Sequence, residues 1–285
     1  MENHHAFTNA VRQQSDVQSV LVVQRNDRLS SFLAECCYLI VVNRPEVDTA
    51  VRQFLIDGQL VIEQRFSTWQ LEKWAAHGLE SSLVPLFAKA ELLFDKDDFV
   101  KRMLPRLLRL PLSMQKLRVC VEYSLLLHHF LEAKEYLSQG LALDAYQSLM
   151  RGLQAWARLL VCEAGEHPEP AIWFQVKKWD ASVYKLYEEL SASNESMEKR
   201  MELILLPMEF CLTSKLKECA QYILDVMHTE NRPWRMQELL AHPMLADSGI
   251  EIVLLIEKLV QRSVIQEIHV PSIEGVPERM FLLSG

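Results

Sequence analysis

Two apolar runs, residues 17–23 and 36–42, joined by a polar connector over residues 24–35, constrain this chain more than any other segment. Both runs are rich in β-branched and aliphatic side chains, the composition of short strands. The segment that follows, residues 48–56, reads as helical. A strand–loop–strand of this shape near the start of a chain often holds a glycine-rich phosphate loop and a pair of metal-binding carboxylates. Here the first glycine is Gly58, and the second run opens Cys36-Cys37-Tyr38. The outline suggests an enzyme; the residues do not.

Further along, Asp57-Gly58 marks a turn into a third strand over 59–66. Ser67 and Gln70 have the spacing of a capping box, opening a short helix that ends near Gly78. A fourth apolar segment, 88–94, is closed by Asp95-Lys96-Asp97. A helix then carries Phe99, Met103, Leu104, Leu107 and Leu108 on one side as far as Pro111. This first part, residues 1–112, is mixed α/β.

From Ser113 the texture becomes purely helical. One long helix runs to Gly140, a second spans 141–164 and stops at Gly165, and others follow over 171–190 and 197–228, with Pro207 a kink or break. Short connections between long amphipathic helices imply an antiparallel bundle over 113–228. Residues 229–285 then read helix, helix, strand, turn, strand, with helices at 234–241 and 250–262, strands at 264–270 and 279–283, and a turn at 272–277. That is the order of a winged helix-turn-helix. The expected fold class is α+β in three parts.

Length and composition agree with several such units. The 285 residues can bury more than one core, and 49% hydrophobic with 24% charged residues is the balance of a soluble globular protein. Eight glycines leave little material for Gly-built ligand loops. A net charge of −8 argues against a surface that coats nucleic acid. The six cysteines show no zinc-ribbon spacing, and reduced thiols in a cytoplasmic protein are expected. The polar start Met1-Glu2-Asn3-His4-His5 has no signal-peptide pattern, and no apolar run reaches membrane-spanning length.

The central segments carry the most specific text. They are Leu143-Asp144-Ala145-Tyr146-Gln147, Ala155-Trp156-Ala157-Arg158-Leu159, the run His167-Pro168-Glu169-Pro170-Ala171-Ile172-Trp173-Phe174-Gln175-Val176-Lys177, and Tyr184-Lys185-Leu186-Tyr187-Glu188-Glu189-Leu190. With these the chain resembles the nucleotidyltransferase-like proteins of Firmicutes. The resemblance implies a minimal nucleotidyltransferase fold, a HEPN-type helical domain and a winged-helix tail. Ala90-Glu91-Leu92-Leu93-Phe94-Asp95 is similar to the strand and Asp that close many such transferase folds. In the first fifty residues the likeness is architectural only.

An active member of that fold is expected to carry Gly-Ser after its first strand and Asp-x-Asp on its second. Mg²⁺ requires hard oxygen ligands, and residues i and i+2 of a strand aim at one site. A Gly-Ser turn lets backbone N–H groups approach a triphosphate. In this chain Gln24-Arg25 stands at the first position, and Cys36 and Tyr38 fall nearest the two acids. A neutral thiol and a neutral phenol are poor Mg²⁺ ligands. Asp27, Glu35 and Glu63 are the carboxylates an improvised catalytic site would have to recruit, with Mg²⁺ and a nucleotide as its cofactor and substrate.

Other chemistries are weaker. RNA-cutting HEPN domains resemble one another in an Arg-x(4–6)-His motif, whereas Arg158 and His167 here are separated by eight residues and a helix-breaking Gly165. Arg158 as an ion-pair donor and His167 as a loop residue is the better reading. Cys36-Cys37 with His4-His5 does not make a metal site, because adjacent strand residues face opposite ways. His128-His129 diverge by about 100° on a helix and lack an i+4 partner for metal binding, and the expectation is one core-edge and one solvated imidazole. Trp156, Trp173, Phe174, Trp179, Tyr184 and Tyr187 read as helix-junction filler before they read as a base-stacking platform.

Arg25, Arg151, Arg158 and Lys177 are the candidate ligand-binding cations, facing a cleft between the α/β unit and the bundle. The tail has five basic against eight acidic side chains, a net charge of −3, and its second helix is mostly Ile, Leu and Val. It is expected to be a packing module before a DNA reader. The resulting expectation is a nucleotidyltransferase-like protein that has lost metal-dependent catalysis and binds a nucleotide or small molecule. A protein partner or a homodimer is the pairing the resemblance implies, and no membrane is involved. The alternatives are an active transferase and a DNA-binding regulator.

Overall fold

Residues 36–42 are apolar at nearly every position, so a strand there needs cover on both of its faces. A computed structural model describes residues 2–24, 36–44, 51–77, 83–271 and 276–284. It divides into two compact units, Met1–Pro111 and Leu112–Gly285.

The first unit opens with helix α1 (Glu2–Arg12), followed by strands β1 (Val17–Gln24), β2 (Cys36–Val42), β3 (Arg52–Ile56) and β4 (Gln59–Ser67). Helices α2 (Thr68–His77) and α3 (Val84–Lys89), strand β5 (Glu91–Asp95) and helix α4 (Phe99–Leu107) complete it. Among the described residues the sheet has five strands in the order β3-β4-β2-β1-β5. β2 and β4 run parallel and the other neighbours antiparallel. Every residue of β2, the central strand, is buried. One sheet face carries Leu21, Cys37, Leu39, Val41 and Phe66 against Leu71, Phe87, Met103 and Leu107 of the helices. The other carries Val20, Val22, Cys36, Tyr38, Ile40 and Val61, with Val11 and Phe7 of α1 packed over it.

Two local signals behave as the sequence predicts. Ser67 and Gln70 form the reciprocal capping box, with N···O distances of 2.8 and 2.9 Å. Asp57 and Gly58 are both left-handed (φ 53° and 79°), the backbone of a two-residue hairpin turn. That turn overturns the helical expectation for residues 48–56: within its described part, Arg52–Ile56 is a strand paired with Gln59–Glu63. Phe54 and Ile56 face the core while Gln53 and Leu55 face solvent, so a period of two wins. The apolar segment 88–94 also splits. Its first residues end α3, which has Pro85 in its first turn, and the rest form β5.

The second unit begins with α5 (Leu112–Ser138) and α6 (Ala142–Glu163), an antiparallel pair whose glycine stops, Gly140 and Gly165, sit at φ 75° and 76°. It continues through α7 (Ile172–Trp179), α8 (Ala181–Ala192), α9 (Met197–Ser214), α10 (Leu216–Cys219) and α11 (Gln221–Met227). The single helix expected over 171–190 is two, because Asp180 takes an extended backbone and caps α8 by accepting from Ser182 N and Val183 N. Pro207 lies within α9, which runs on to Ser214; the interruption falls after it. Strand β6 (Trp234–Arg235), helices α12 (Met236–Ala241) and α13 (Ile252–Gln261) and strands β7 (Ile265–Pro271) and β8 (Pro277–Leu283) follow. Their sheet has the order β6-β8-β7 among the described residues.

Candidate functional site

The sheet register decides what occupies the place of a catalytic acid pair. Tyr38 lies opposite Val22 on β1 and Glu63 on β4, while Cys36 lies opposite Gln24 and Val61. Cys36, Tyr38 and Glu63 therefore share one sheet face, the arrangement an Asp-x-Asp with a third acid would take.

In this chain α1 covers that face. The Tyr38 hydroxyl is 3.0 Å from His4 Nδ1, its ring lies 4.9 Å from the Phe7 ring, and Phe7 in turn lies 5.5 Å from Phe54. Arg12 anchors the end of α1 by donating to the Leu93 carbonyl and lying over the Phe94 ring. Tyr38 is 2% exposed. Burial pushes the Cys36 thiol up to about 11 and that of Cys37 to about 12, and it raises the Tyr38 phenol as well. All three stay protonated at neutral pH.

Glu63, also 2% exposed, accepts a hydrogen bond from Arg65 Nε at 2.8 Å, and Arg52 stands at 3.9 Å. Arg65 also donates to Gln14 Oε1 at 3.0 Å. A protonated thiol, a buried phenol and a carboxylate already held by arginine do not fit a Mg²⁺–triphosphate. Arg25, Asp27 and Glu35 lie outside the described residues. Asp95, the residue resembling a family acid, accepts from Ser19 Oγ at 2.6 Å and from the N–H groups of Val100 and Lys101. It serves as a cap for α4.

In the second unit the cations separate. Arg158 on α6 stands 3.9 Å from Glu122 on α5, and its Nε is buried without an acceptor among the described residues. Glu122 is 6% exposed; burial pushes its carboxyl up to about 7, against the pull of Arg158 and Arg118. Lys177 sits over the Tyr184 ring at 4.5 Å, and Arg151 is exposed on α6. Trp173 stacks on Tyr187 at 4.0 Å between α7 and α8, whereas Phe174 and Trp179 are exposed and do not fill the junction expected of them. His167 is buried in the loop after α6, where its carbonyl accepts from Gln175 Nε2 at 2.9 Å.

Glu122 escapes sequence reasoning; its signal is a lone acid within the apolar run Val119-Cys120-Val121-Glu122-Tyr123. His129 is the more shielded and His128 the more solvated imidazole, but the expectation that the pair lacks an i+4 partner needs correcting. Glu132 is the i+4 partner of His128, and its carboxylate lies beside both rings.

The tail packs one face of the helix that would read DNA into its core. Ile252, Leu255, Ile256 and Leu259 of α13 are buried, and the Glu251 N–H donates to Ser124 Oγ of α5 at 3.1 Å. Arg262 reaches Thr213 Oγ1 at 3.1 Å. Arg279 is held by Glu257 and Glu267, Arg232 by Glu230 and Glu238, and Arg235 by Glu278. Cations engaged in this way are poor donors for phosphate.

Comparison with known proteins gives the same order of parts. Residues 1–115 match the nucleotidyltransferase-like family model, 116–215 a YgxA-like substrate binding domain, and 221–275 a helix-turn-helix domain. Over 249 residues the chain is 28% identical to YgxA of Bacillus subtilis (strain 168), spanning 87% of this chain and 84% of that protein. The crystal structure of a nucleotidyltransferase-like protein from Exiguobacterium sibiricum 255-15 aligns with a TM-score of 0.71 at 24% identity. It covers 100% of this chain and 99% of that one, a likeness of fold. Those three models follow one another along its length, so the chain carries a nucleotidyltransferase-like domain, then a YgxA-like substrate binding domain and a helix-turn-helix domain.

Proposed function

We propose that this chain has lost metal-dependent nucleotidyl transfer and acts as a ligand-binding or regulatory module. The observation that carries the proposal is the sheet face bearing Cys36, Tyr38 and Glu63. It is filled by α1, and Glu63, its one acid among the described residues, is paired with Arg65. A transferase needs that face open to a triphosphate and lined by free carboxylates.

The ligand is a small molecule received by the helical middle, read here as HEPN-like within a three-part division at about residues 112 and 228. The substrate-binding name of the matching family model supports this, as does the unpaired Arg158 Nε beside Glu122. A buried donor without an acceptor has an incentive to take an oxygen from a ligand. Buried free thiols agree with a reducing, cytoplasmic setting.

Calorimetry with Mg·ATP, Mg·GTP and the same nucleotides without metal, coupled to a pyrophosphate assay, tests the proposal. The expected result is no Mg²⁺-dependent triphosphate binding and no pyrophosphate. Tight metal-dependent binding with pyrophosphate release overturns it and restores the active reading through Asp27, Glu35 and Glu63. The regulator reading is supported by the helix-turn-helix match alone, and the engagement of α13 and the tail arginines weighs against it.

A further inference from the structure

We propose that His128, His129 and Glu132 on α5 form a binding site for one zinc-class transition-metal ion. His128 and Glu132 are four residues apart, one helical turn, and the Glu132 carboxylate stands between the two rings. Its Oε1 is 3.9 Å from His128 Nε2 and its Oε2 is 3.2 Å from His129 Nδ1. The three ligand atoms all lie within 4.8 Å of one another. A tetrahedral ion with bonds of about 2.0–2.1 Å needs ligand atoms roughly 3.4 Å apart, so small side-chain rotations close the site.

The donor set names the ion. Two imidazole nitrogens and one carboxylate oxygen suit Zn²⁺ and its neighbours Co²⁺ and Ni²⁺, whereas Mg²⁺ is held by oxygen alone. Three protein ligands leave a fourth position for water or a bound molecule. The surroundings are those of an oriented ligand and not of a loose surface pair. Ser148 Oγ on α6 donates to Glu132 Oε2 at 2.9 Å, which fixes the carboxylate that would bridge toward the metal. Close approach of the helices makes that bond possible. One turn along α6, a Cβ on Gly152 would meet His129 Cβ at 3.5 Å and Met208 Cε at 2.5 Å. His129 is largely shielded and His128 about half exposed, which gives the ion a rigid inner ligand and an open outer side.

The test uses the full chain without a histidine tag, stripped with chelator and titrated with ZnCl₂ by calorimetry near pH 7.5. The expected result is one ion per chain. His128→Ala, His129→Ala and Glu132→Gln each weaken it at least roughly 10-fold, and Ser148→Ala weakens it by about 10-fold without abolishing it. Circular dichroism checks that each variant is folded; His128, half exposed, is the substitution least able to disturb the bundle. Titration with Co²⁺ then reports the ligands, and an absorption spectrum without a thiolate charge-transfer band is expected, since the six thiols are buried. No binding by the folded wild-type chain overturns the proposal. So does stoichiometric binding that survives the double change of His128 and His129 to Ala, or a cobalt spectrum dominated by thiolate.

Discussion

The carboxyl of Glu122 titrates far from where it would in an unfolded chain, and replacing it with Gln isolates the consequence. Burial pushes it up from 4.5 to about 7. At about 1.4 kcal/mol for each unit, the folded state then favours the protonated form by about 3 kcal/mol. The side chain is only 9% exposed, so screening by solvent takes little from that figure. Because the folded-state value is the higher one, the contribution is fully present below about pH 4.5 and is lost as pH rises through about 7.

Gln keeps the shape of Glu122 and cannot ionise. Leaving Arg158 without its partner adds a term that does not vary over this range, since the guanidinium stays charged and is 42% exposed. Urea unfolding of wild type and Glu122→Gln, at constant ionic strength from about pH 4.5 to 8, yields a difference curve from which the other titrating groups cancel. Wild type should lose about 3 kcal/mol relative to the variant across that range. A difference constant to within about 0.5 kcal/mol, or one that rises with pH, refutes the reasoning.

Three further outcomes follow from the same packing. The six cysteines should resist an aromatic disulfide reagent near pH 8 until the chain unfolds, because burial pushes Cys36 and Cys211 up to about 11 and Cys37, Cys120 and Cys162 to about 12; one thiol reacting at a free-cysteine rate contradicts this. Phe7→Ala should cost roughly 2 kcal/mol, less than a fully buried ring, by removing the contacts to Tyr38 and Phe54; unchanged stability in urea would mean that α1 does not seal the sheet. Fluorescence anisotropy with duplex DNA at low salt should show no affinity that Arg262→Glu alters, and a steep salt-dependent isotherm weakened by that change would put α13 in a groove.

What could be read from the sequence divides by the range of the interaction. The capping box at Ser67 and Gln70 and the helix stops at Gly140 and Gly165 were legible because both partners lie within one turn. β1 and β2 were legible from runs rich in β-branched and aliphatic residues, continuous in β2 and interrupted by Gln18 and Ser19 in β1. β3 was misread although its strongest signal, Asp57-Gly58, was in plain view: a type I′ turn dictates that the residues before it pair with those after it. Asp180 was an N-cap signal inside what looked like one helix.

The site was less accessible. Cys36 and Tyr38 were expected nearest the acid positions, and the strand register puts them on one sheet face with Glu63. Nothing local announced that His4 and Phe7, more than thirty residues earlier, would close over Tyr38. Glu122 beside Arg158 and Ser148 beside Glu132 are contacts between helices, set by how α5 and α6 approach. A residue pattern along one helix does not encode that approach.

The seating of α13 has a bearing on how the tail comes apart. With the Glu251 N–H donating to Ser124 Oγ and Arg262 to Thr213, stripping the helix-turn-helix from the helices before it would strand apolar side chains of α13 in water. Such a segment melts together with its host. Calorimetry on residues 112–285 should therefore trace one cooperative peak, and a protease should find no early cut that frees the final sixty or so residues as a folded fragment.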